Sequence, residues 1–304
     1  MILIFSEALL TTGLGHLGRC TALAEILLEK GNVDVRIVLH TDESFPDWFY
    51  PCLIYKENWK DLNNLRSLLD SFLIKEASKG LVIYIDSYLA PFSIYEELKK
   101  QSDELICIDD NNRIPYPIGS TILNPGYPGL FIEYDKSKYK VLTGKKEVLL
   151  RKPFRDEFVI PKRNIPLLKV LITLGGADPN LYSEAFLNIL CKEFPELEKH
   201  LIIGPGFSNE KNLASLSDSK TFFYKNLSAL EMRDLMLTMD FAITAGGQTT
   251  YELDRCGVPM VMIKTFENQL GNIRGFFECQ GIPEITQPVE IIGIIHNLLT
   301  TQNR

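Results

Sequence analysis

Residues 13–20, GLGHLGRC, combine the side chains best suited to chemistry in this chain. Gly13, Gly15 and Gly18 match G-x-G-x-x-G, a pattern that lets backbone approach a phosphate at a helix N-terminus. The same spacing also makes a plain turn into a helix. A dinucleotide site would add an acid at the end of the second strand. This chain has His40 there, and Asp42 or Glu43 would serve only in a shifted register. His16, at the presumed start of the helix, suits a general base, with simple capping or packing as the alternative. His40, His200 and His296 fall at a strand end, a strand start and the last helix, and are read as structural. Two further glycine turns follow. LGGADPN brings Gly175 and Gly176, with Asp178 as expected N-cap and Pro179 as first helical residue. TAGGQTTYE brings Gly246 and Gly247, the polar caps Gln248, Thr249 and Thr250, and Glu252. A glutamate there forms a capping box or accepts two hydrogen bonds from a ribose diol. Asn268 and Gln269 could hold a sugar hydroxyl or phosphate oxygen, or cap a helix. Asp109 and Asp110 are read as loop-capping acids in preference to metal ligands. The chain has no P-loop lysine motif, GxSxG elbow or zinc signature.

Strands and helices must deliver these turns. MILIF reads as a buried strand and residues 16–30 as an amphipathic helix ended by Gly31. VDVRIVLH is a second strand. Residues 59–77 place Leu62, Leu65, Leu68, Leu69, Phe72 and Leu73 at helical spacing. LVIYID, SIYEELKKQ and LICIDD continue strand, helix, strand, which implies a parallel sheet with right-handed crossovers. Between about residues 111 and 166 the regularity breaks around Pro115, Pro117, Pro125, Pro128, Pro153, Pro161 and Pro166, as at a domain edge and linker. The alternation restarts at LLKVLITLGG and runs to an apolar helix over residues 289–299. The expected fold is α/β, with two Rossmann-like domains, 1–158 and 159–304, facing a cleft. The last helix is a candidate to pack back on the first domain.

The 304 residues are 45% hydrophobic and 23% charged, enough for a sizeable core. A net charge of -7 argues against general nucleic-acid binding, which needs a basic face. No basic n-region with a cleavage site and no apolar run near the ~18 residues of a bilayer span is present, so a cytoplasmic protein is expected. Cys20, Cys52, Cys107, Cys191, Cys256 and Cys279 make no CxxC pair and are read as small buried hydrophobes.

In order and spacing, GLGHLGRC, IDSY, IDD, VLLRKPF, TLGGADPN, TAGGQTTYELDRCGVP and ENQ resemble the UDP-2,4-diacetamido-2,4,6-trideoxy-β-L-altropyranose hydrolases of pseudaminic acid biosynthesis, and the related spore-coat polysaccharide proteins. The resemblance covers about residues 1–283 and implies the glycosyltransferase B-type fold, shared with the N-acetylglucosamine transferase of peptidoglycan precursor synthesis. It implies that His16 is the catalytic base for an inverting attack of water on the anomeric carbon, with UDP leaving. Tyr88 would lie by the sugar. Gly15 and Arg19 would support the loop near the diphosphate. Gly175, Gly176, Gly246, Gly247 and Thr249 would line the nucleotide pocket, Glu252 would hold the ribose, and Asn268 and Gln269 would reach the diphosphate or sugar. The implied partner is a UDP-sugar, without cofactor, metal, nucleic acid or membrane insertion, and the chain is expected to be a monomer. A glycosyltransferase using a UDP-sugar donor is the alternative. The family usually shows a pattern like RxDxS before the loop. Here Phe5 and Glu7 occupy its arginine and aspartate positions, which are expected beside the sugar. Gly18 and Gln248 are further departures, standing where a larger residue and a serine are usual.

Overall fold

A computed structural model describes residues 1–9, 15–31, 34–41, 51–75, 80–163 and 167–300, with the backbone alone for 73–75. Gly13, Asp42, Glu43 and Pro166 lie outside the described residues. The chain divides into two compact units, Met1–Lys152 and Pro153–Arg304.

In the N-terminal unit the strands are β1 (Ile2–Ala8), β2 (Val35–Thr41), β3 (Leu53–Lys56), β4 (Val82–Asp86), β5 (Glu104–Ile108), β6 (Thr121–Asn124) and β7 (Lys140–Thr143). They form one parallel sheet in the order β3-β2-β1-β4-β5-β6-β7. Strand alternation sends Ile2 and Ile4 into one buried layer, with Leu17 and Leu23, and Leu3 and Phe5 into the other, with Trp59 and Ile83. A strand buried on both faces reads as an unbroken apolar run, which is why β1 is visible in the sequence. Its helices are α1 (Gly15–Glu29), α2 (Leu62–Lys75) and α3 (Phe92–Gln101). Gly31 follows α1 at φ +88°, a conformation that favours glycine.

Helix α2 starts later than the periodicity predicts. Asp61 accepts hydrogen bonds from the backbone N–H of Asn63 and Asn64, which sets the helix start. Trp59 stays outside the helix, buried, with its indole N–H donating to the Ser6 carbonyl at 3.0 Å. The proline-rich stretch is more regular than expected, since β6 and β7 extend the sheet.

The C-terminal unit begins near a single helical turn, α4 (Lys152–Arg155). Its strands are β8 (Lys169–Thr173), β9 (Glu198–Ile203), β10 (Thr221–Lys225), β11 (Phe241–Ala245), β12 (Met260–Ile263) and β13 (Glu284–Ile285). They too form a parallel sheet, in the order β10-β9-β8-β11-β12-β13. Its longer helices are α5 (Tyr182–Glu193), α6 (Glu210–Leu216), α7 (Ala229–Leu237), α8 (Thr249–Arg255), α9 (Leu270–Gln280) and α10 (Ile291–Thr300). Helix α10 buries Ile291 and Ile295 in this unit's own core, and His296 packs edge-on against Phe194.

Residues just after Lys152 are anchored within this unit. The Phe158 ring lies 4.2 Å from the Arg255 guanidinium and 5.4 Å from that of Arg233. Arg163 donates to the carbonyls of Leu237 and Met239 at 2.9 and 2.6 Å. The sequence-based boundary at residue 158 therefore falls inside an anchored stretch. Of the cysteines, Cys20, Cys107 and Cys256 are buried and Cys52 and Cys191 half-buried, but Cys279 is exposed, which corrects its reading as a buried hydrophobe. Among the described residues, no helix is long and apolar enough to cross a membrane.

Candidate functional site

In each sheet the strand order reverses beside the first strand of its unit, between β1 and β4 and between β8 and β11. Crevices outside the carboxyl ends of such strands are where open α/β sheets bind ligands. The N-terminal unit uses this place for a dense polar cluster. Register pairs Ser6 of β1 with Asp86 at the end of β4, so the carboxyl ends of β1 and β4 lie side by side. His16 enters from the first turn of α1 and Tyr88 from the loop beyond Asp86.

His16 is buried, and its Nδ1 lies 2.6 Å from Oδ1 of Asp86. An ionised carboxylate only accepts, so Nδ1 donates, and in a neutral ring Nε2 is then the acceptor. Arg19, one turn further along α1, grips the same carboxylate through Nε at 2.5 Å and Nη2 at 2.7 Å. Its Nη1 and Nη2 also donate to Asp110 at 2.8 and 2.9 Å. The Tyr88 hydroxyl donates to Asp110 at 2.5 Å, and the Tyr88 ring stands edge-on to His16 with centroids 4.3 Å apart.

Burial pushes the Asp86 carboxyl up, but the Arg19 charge and its contact with His16 outweigh this and hold it well below the usual carboxylate range. Burial likewise raises Asp110, and Arg19 again brings it below its ordinary value. Burial followed by the Asp110 charge pushes the Tyr88 phenol far up, and burial with the Asp86 charge does the same to the Cys20 thiol. Both stay neutral. The cluster can therefore hold a histidine with a fixed tautomer and a single lone pair, the arrangement of a general base.

Glu7 and Phe5 part company. Phe5 is fully buried against Trp59, in the hydrophobic core. Glu7 is also fully buried, and it accepts from the Ser87 hydroxyl at 2.6 Å, the Tyr88 N–H at 2.9 Å and Lys60 at 3.3 Å. Asp109 fits the loop-capping reading. It accepts from the N–H of Asn112 and from the hydroxyls of Tyr116 and Tyr134. Asp110 does not fit that reading, because it is the partner of Arg19 and Tyr88. Among the described residues, no three His, Cys, Asp or Glu side chains converge as a metal site. Gly15 opens α1, and among the described residues neither it nor Gly18 meets an atom beyond its neighbours and its own helix backbone within 4 Å of where a Cβ would stand.

The second set of expected residues lies at the carboxyl ends of β8, β11 and β12. Gly175 has φ +87° and, like Gly176, is exposed with open space at its Cβ position. Their carbonyls pack on Gly204, where a Cβ would stand 2.3 Å from the Gly175 oxygen. Asp178 caps α5 differently from the expectation. Leu181 takes a left-handed conformation at φ +53°, which delays the helix and lets the Asp178 carboxylate reach the N–H of Tyr182 and Ser183. Pro179 therefore precedes the helix.

After β11, Gly246 abuts Ile273, and its carbonyl accepts from Asn272. Gly247 and Thr249 are half-buried, and Glu252 is buried within α8. Helix α8 has no side-chain cap at Gln248. Gln269 does cap: its Oε1 accepts from the Thr265 N–H and hydroxyl at 2.9 and 3.0 Å. Asn268 beside it is exposed. His200 is packed, stacked on Phe222 and hydrogen-bonded to Tyr224.

Asp86 and Asp110 are the residues that sequence reasoning missed. Both lie inside recognised motifs, and the signal is an arginine one turn into a helix facing two strand-end acids.

No protein-family model matches the chain. The pseudaminic acid cytidylyltransferase and UDP-2,4-diacetamido-2,4,6-trideoxy-β-L-altropyranose hydrolase of Helicobacter pylori is 27% identical over 305 residues, covering 99% of this chain and 51% of that protein. The spore coat polysaccharide biosynthesis protein SpsG of Bacillus subtilis is 22% identical over 287 residues, covering 90% of this chain and 80% of that one. The chain spans about half the length of the first two curated relatives it matches. Among solved structures, Phytolacca americana UGT2 complexed with UDP-2-fluoro-glucose and pterostilbene superposes with a TM-score of 0.66 at 11% identity, covering 98% of this chain and 90% of that chain. The protein is thus a glycosyltransferase B-fold chain whose homologues include the Helicobacter pylori hydrolase protein and SpsG.

Proposed function

We propose that the protein is a nucleotide-sugar hydrolase that releases UDP from a diacetamido-trideoxy hexose, in pseudaminic acid or related surface-sugar biosynthesis. The observation that carries this is the buried His16–Asp86 pair at 2.6 Å, within the GLGHLGRC and IDSY motifs. Asp86 keeps the proton on Nδ1, and Nε2 takes a proton from water. The water oxygen bonds to the anomeric carbon from the face opposite UDP, the bond from that carbon to the diphosphate oxygen breaks, and the electron pair leaves with UDP. The proton then passes from His16 to solvent. Tyr88 borders the sugar, and Gly15 and Arg19 support the loop near the diphosphate. The nucleotide is assigned to Gly175, Gly176, Gly246, Gly247 and Thr249, with Glu252 accepting from the ribose diol and Asn268 and Gln269 on the diphosphate or sugar. Since Gln269 Oε1 already caps its own turn, its part would fall to the amide NH₂.

The relative's name carries two activities, and the glycosyltransferase B fold favours the one that opens a UDP-sugar. The same fold supports the second reading, a glycosyltransferase, as in the neighbour holding a sugar donor analogue together with pterostilbene. UDP release from a panel of UDP-sugars without acceptor separates the two. A hydrolase gives UDP and free sugar, with a loss of about 10²- to 10⁴-fold in His16→Ala. UDP binding without release points to the transferase. The reading places the protein in the cytoplasm as a monomer that needs neither metal nor cofactor. Turnover unchanged by a chelator and a single-chain mass by light scattering are the expected results.

A further inference from the structure

We propose that Asp110 is a positioning residue for His16, holding Tyr88 against the imidazole and adding a second buried carboxylate beside Arg19. This rests on His16 being the base of the proposed hydrolysis.

The charges can be counted from the contacts. Asp86 and Asp110 bring two negative charges and Arg19 brings one positive charge. Tyr88 and Cys20 stay neutral, for the reasons given above. Glu7 and Lys60 form a separate pair that sums to zero. The cluster around an uncharged imidazole therefore carries one net negative charge, and it becomes neutral when His16 accepts a proton. In a buried site, where charges are poorly screened, that direction of change favours the arrival of the proton. Asp86 already favours the proton through its contact with Nδ1 at 2.6 Å, and Asp110 adds a second negative charge to that bias.

Asp110 acts through other groups. Its carboxylate engages Arg19 at 2.8 and 2.9 Å and the Tyr88 hydroxyl at 2.5 Å. The elements around His16 contribute these titratable groups: Glu7, paired with Lys60, from β1, Arg19 and Cys20 from α1, Asp86 from β4, Tyr88 from the loop after β4, and Asp110 from the loop after β5, where the neighbouring Asp109 is held by Tyr116 and Tyr134. Residues 10–14 have no titratable side chain.

Asp110→Asn keeps the shape and removes the charge. Histidine-selective ¹⁵N NMR on the full chain, without substrate, follows the ring of His16, assigned by the signal lost in His16→Ala. In Asp110→Asn its pH midpoint falls by about one unit relative to the unaltered protein. Tyr88→Phe, which removes the hydroxyl contact but no charge, leaves the midpoint in place. With UDP-sugar, Asp110→Asn lowers kcat by about 10-fold or more with a small change in KM, and the acid limb of kcat/KM moves to lower pH. If Asp110→Asn fails to fold, Asp110→Glu tests the same point by keeping the midpoint while disturbing Tyr88. A midpoint within about 0.2 units of the unaltered protein in Asp110→Asn overturns the proposal, as does a midpoint moved equally by Tyr88→Phe or Asp110→Glu. If the unaltered protein hydrolyses no UDP-sugar, the functional reading fails, while the NMR titration still decides the role of Asp110.

Discussion

Replacing Asp86 by asparagine tests the proposed chemistry at its most constrained point. The carboxylate is fully buried and receives His16 Nδ1 at 2.6 Å and Arg19 at 2.5 and 2.7 Å. An amide has one acceptor end and one donor end. Arg19 donates to both carboxylate oxygens, Nη2 to the one that His16 meets and Nε, at 2.5 Å, to the other, so the asparagine oxygen is expected to keep the shorter Nε contact and its NH₂ to face His16. Nδ1 must then accept, and the ring proton moves to Nε2, the atom required to take a proton from water. The base is present, correctly placed and blocked. The comparable aspartate-to-asparagine change in the serine-protease triad leaves the histidine in the wrong tautomer and costs about 10⁴-fold, and a general base as a whole contributes about 10²- to 10⁴-fold. We therefore expect kcat for UDP release to fall by about 10³-fold or more, with KM little changed. Folding should survive, because Arg19 keeps both bonds to Asp110, and a cost of about 1–3 kcal/mol is expected for the weakened buried contact. Histidine ¹⁵N shifts report the tautomer directly. Asp86→Asn retaining activity within tenfold of wild type, or showing Nε2 still unprotonated in a folded protein, would refute the reasoning.

The nucleotide assignment predicts a contrast between glycines. Gly204→Ala places a methyl 2.3 Å from the Gly175 carbonyl, forcing the loop to shift, and should weaken UDP binding in calorimetry and lower stability by about 1–3 kcal/mol. Gly176→Ala meets no neighbour within 4 Å and should leave the melting temperature nearly unchanged while lowering UDP affinity. In the C-terminal unit, Lys199 is fully buried and pairs with the partly exposed Asp218 at 2.6 Å. Asp218→Ala should cost about 3–5 kcal/mol by stranding a buried ammonium, whereas Lys199→Met should cost much less, as chemical denaturation can measure. Burial raises the Asp218 carboxyl, yet its bonds to Lys199 and Thr221 bring it down to about 2. Its folded value lies below its unfolded one, so its contribution is complete above about pH 4 and fades as pH falls toward 2. Asp218→Asn should flatten the stability profile in that window.

The parts of this molecule that can be read in advance are those where one physical rule dominates. Strands buried on both faces show as apolar runs, and glycines at positive φ end helices at Gly31, Gly257 and Gly281, so most elements and the glycine turns after β8 and β11 are visible in the sequence. Short elements are not. Strands β6 and β7 have four residues each, too few to show a period, and lie among prolines that read as a break. Periodicity misplaces the start of α2 because Trp59 continues the apolar spacing while Asp61 sets the boundary. The site divides in the same way. His16 and Tyr88 stand out by residue type, but the acids that act on them are separated from them in sequence and read as parts of their own loops. Asp109 and Asp110 are adjacent and chemically alike, yet one ties down a loop through two tyrosines while the other joins Arg19 and Tyr88. Successive side chains leave a strand end in opposite directions, so neighbours in sequence enter different environments. Residue type marks that chemistry is available here; the pairing of β1 with β4, which no local pattern encodes, brings Asp86 within 2.6 Å of His16 Nδ1.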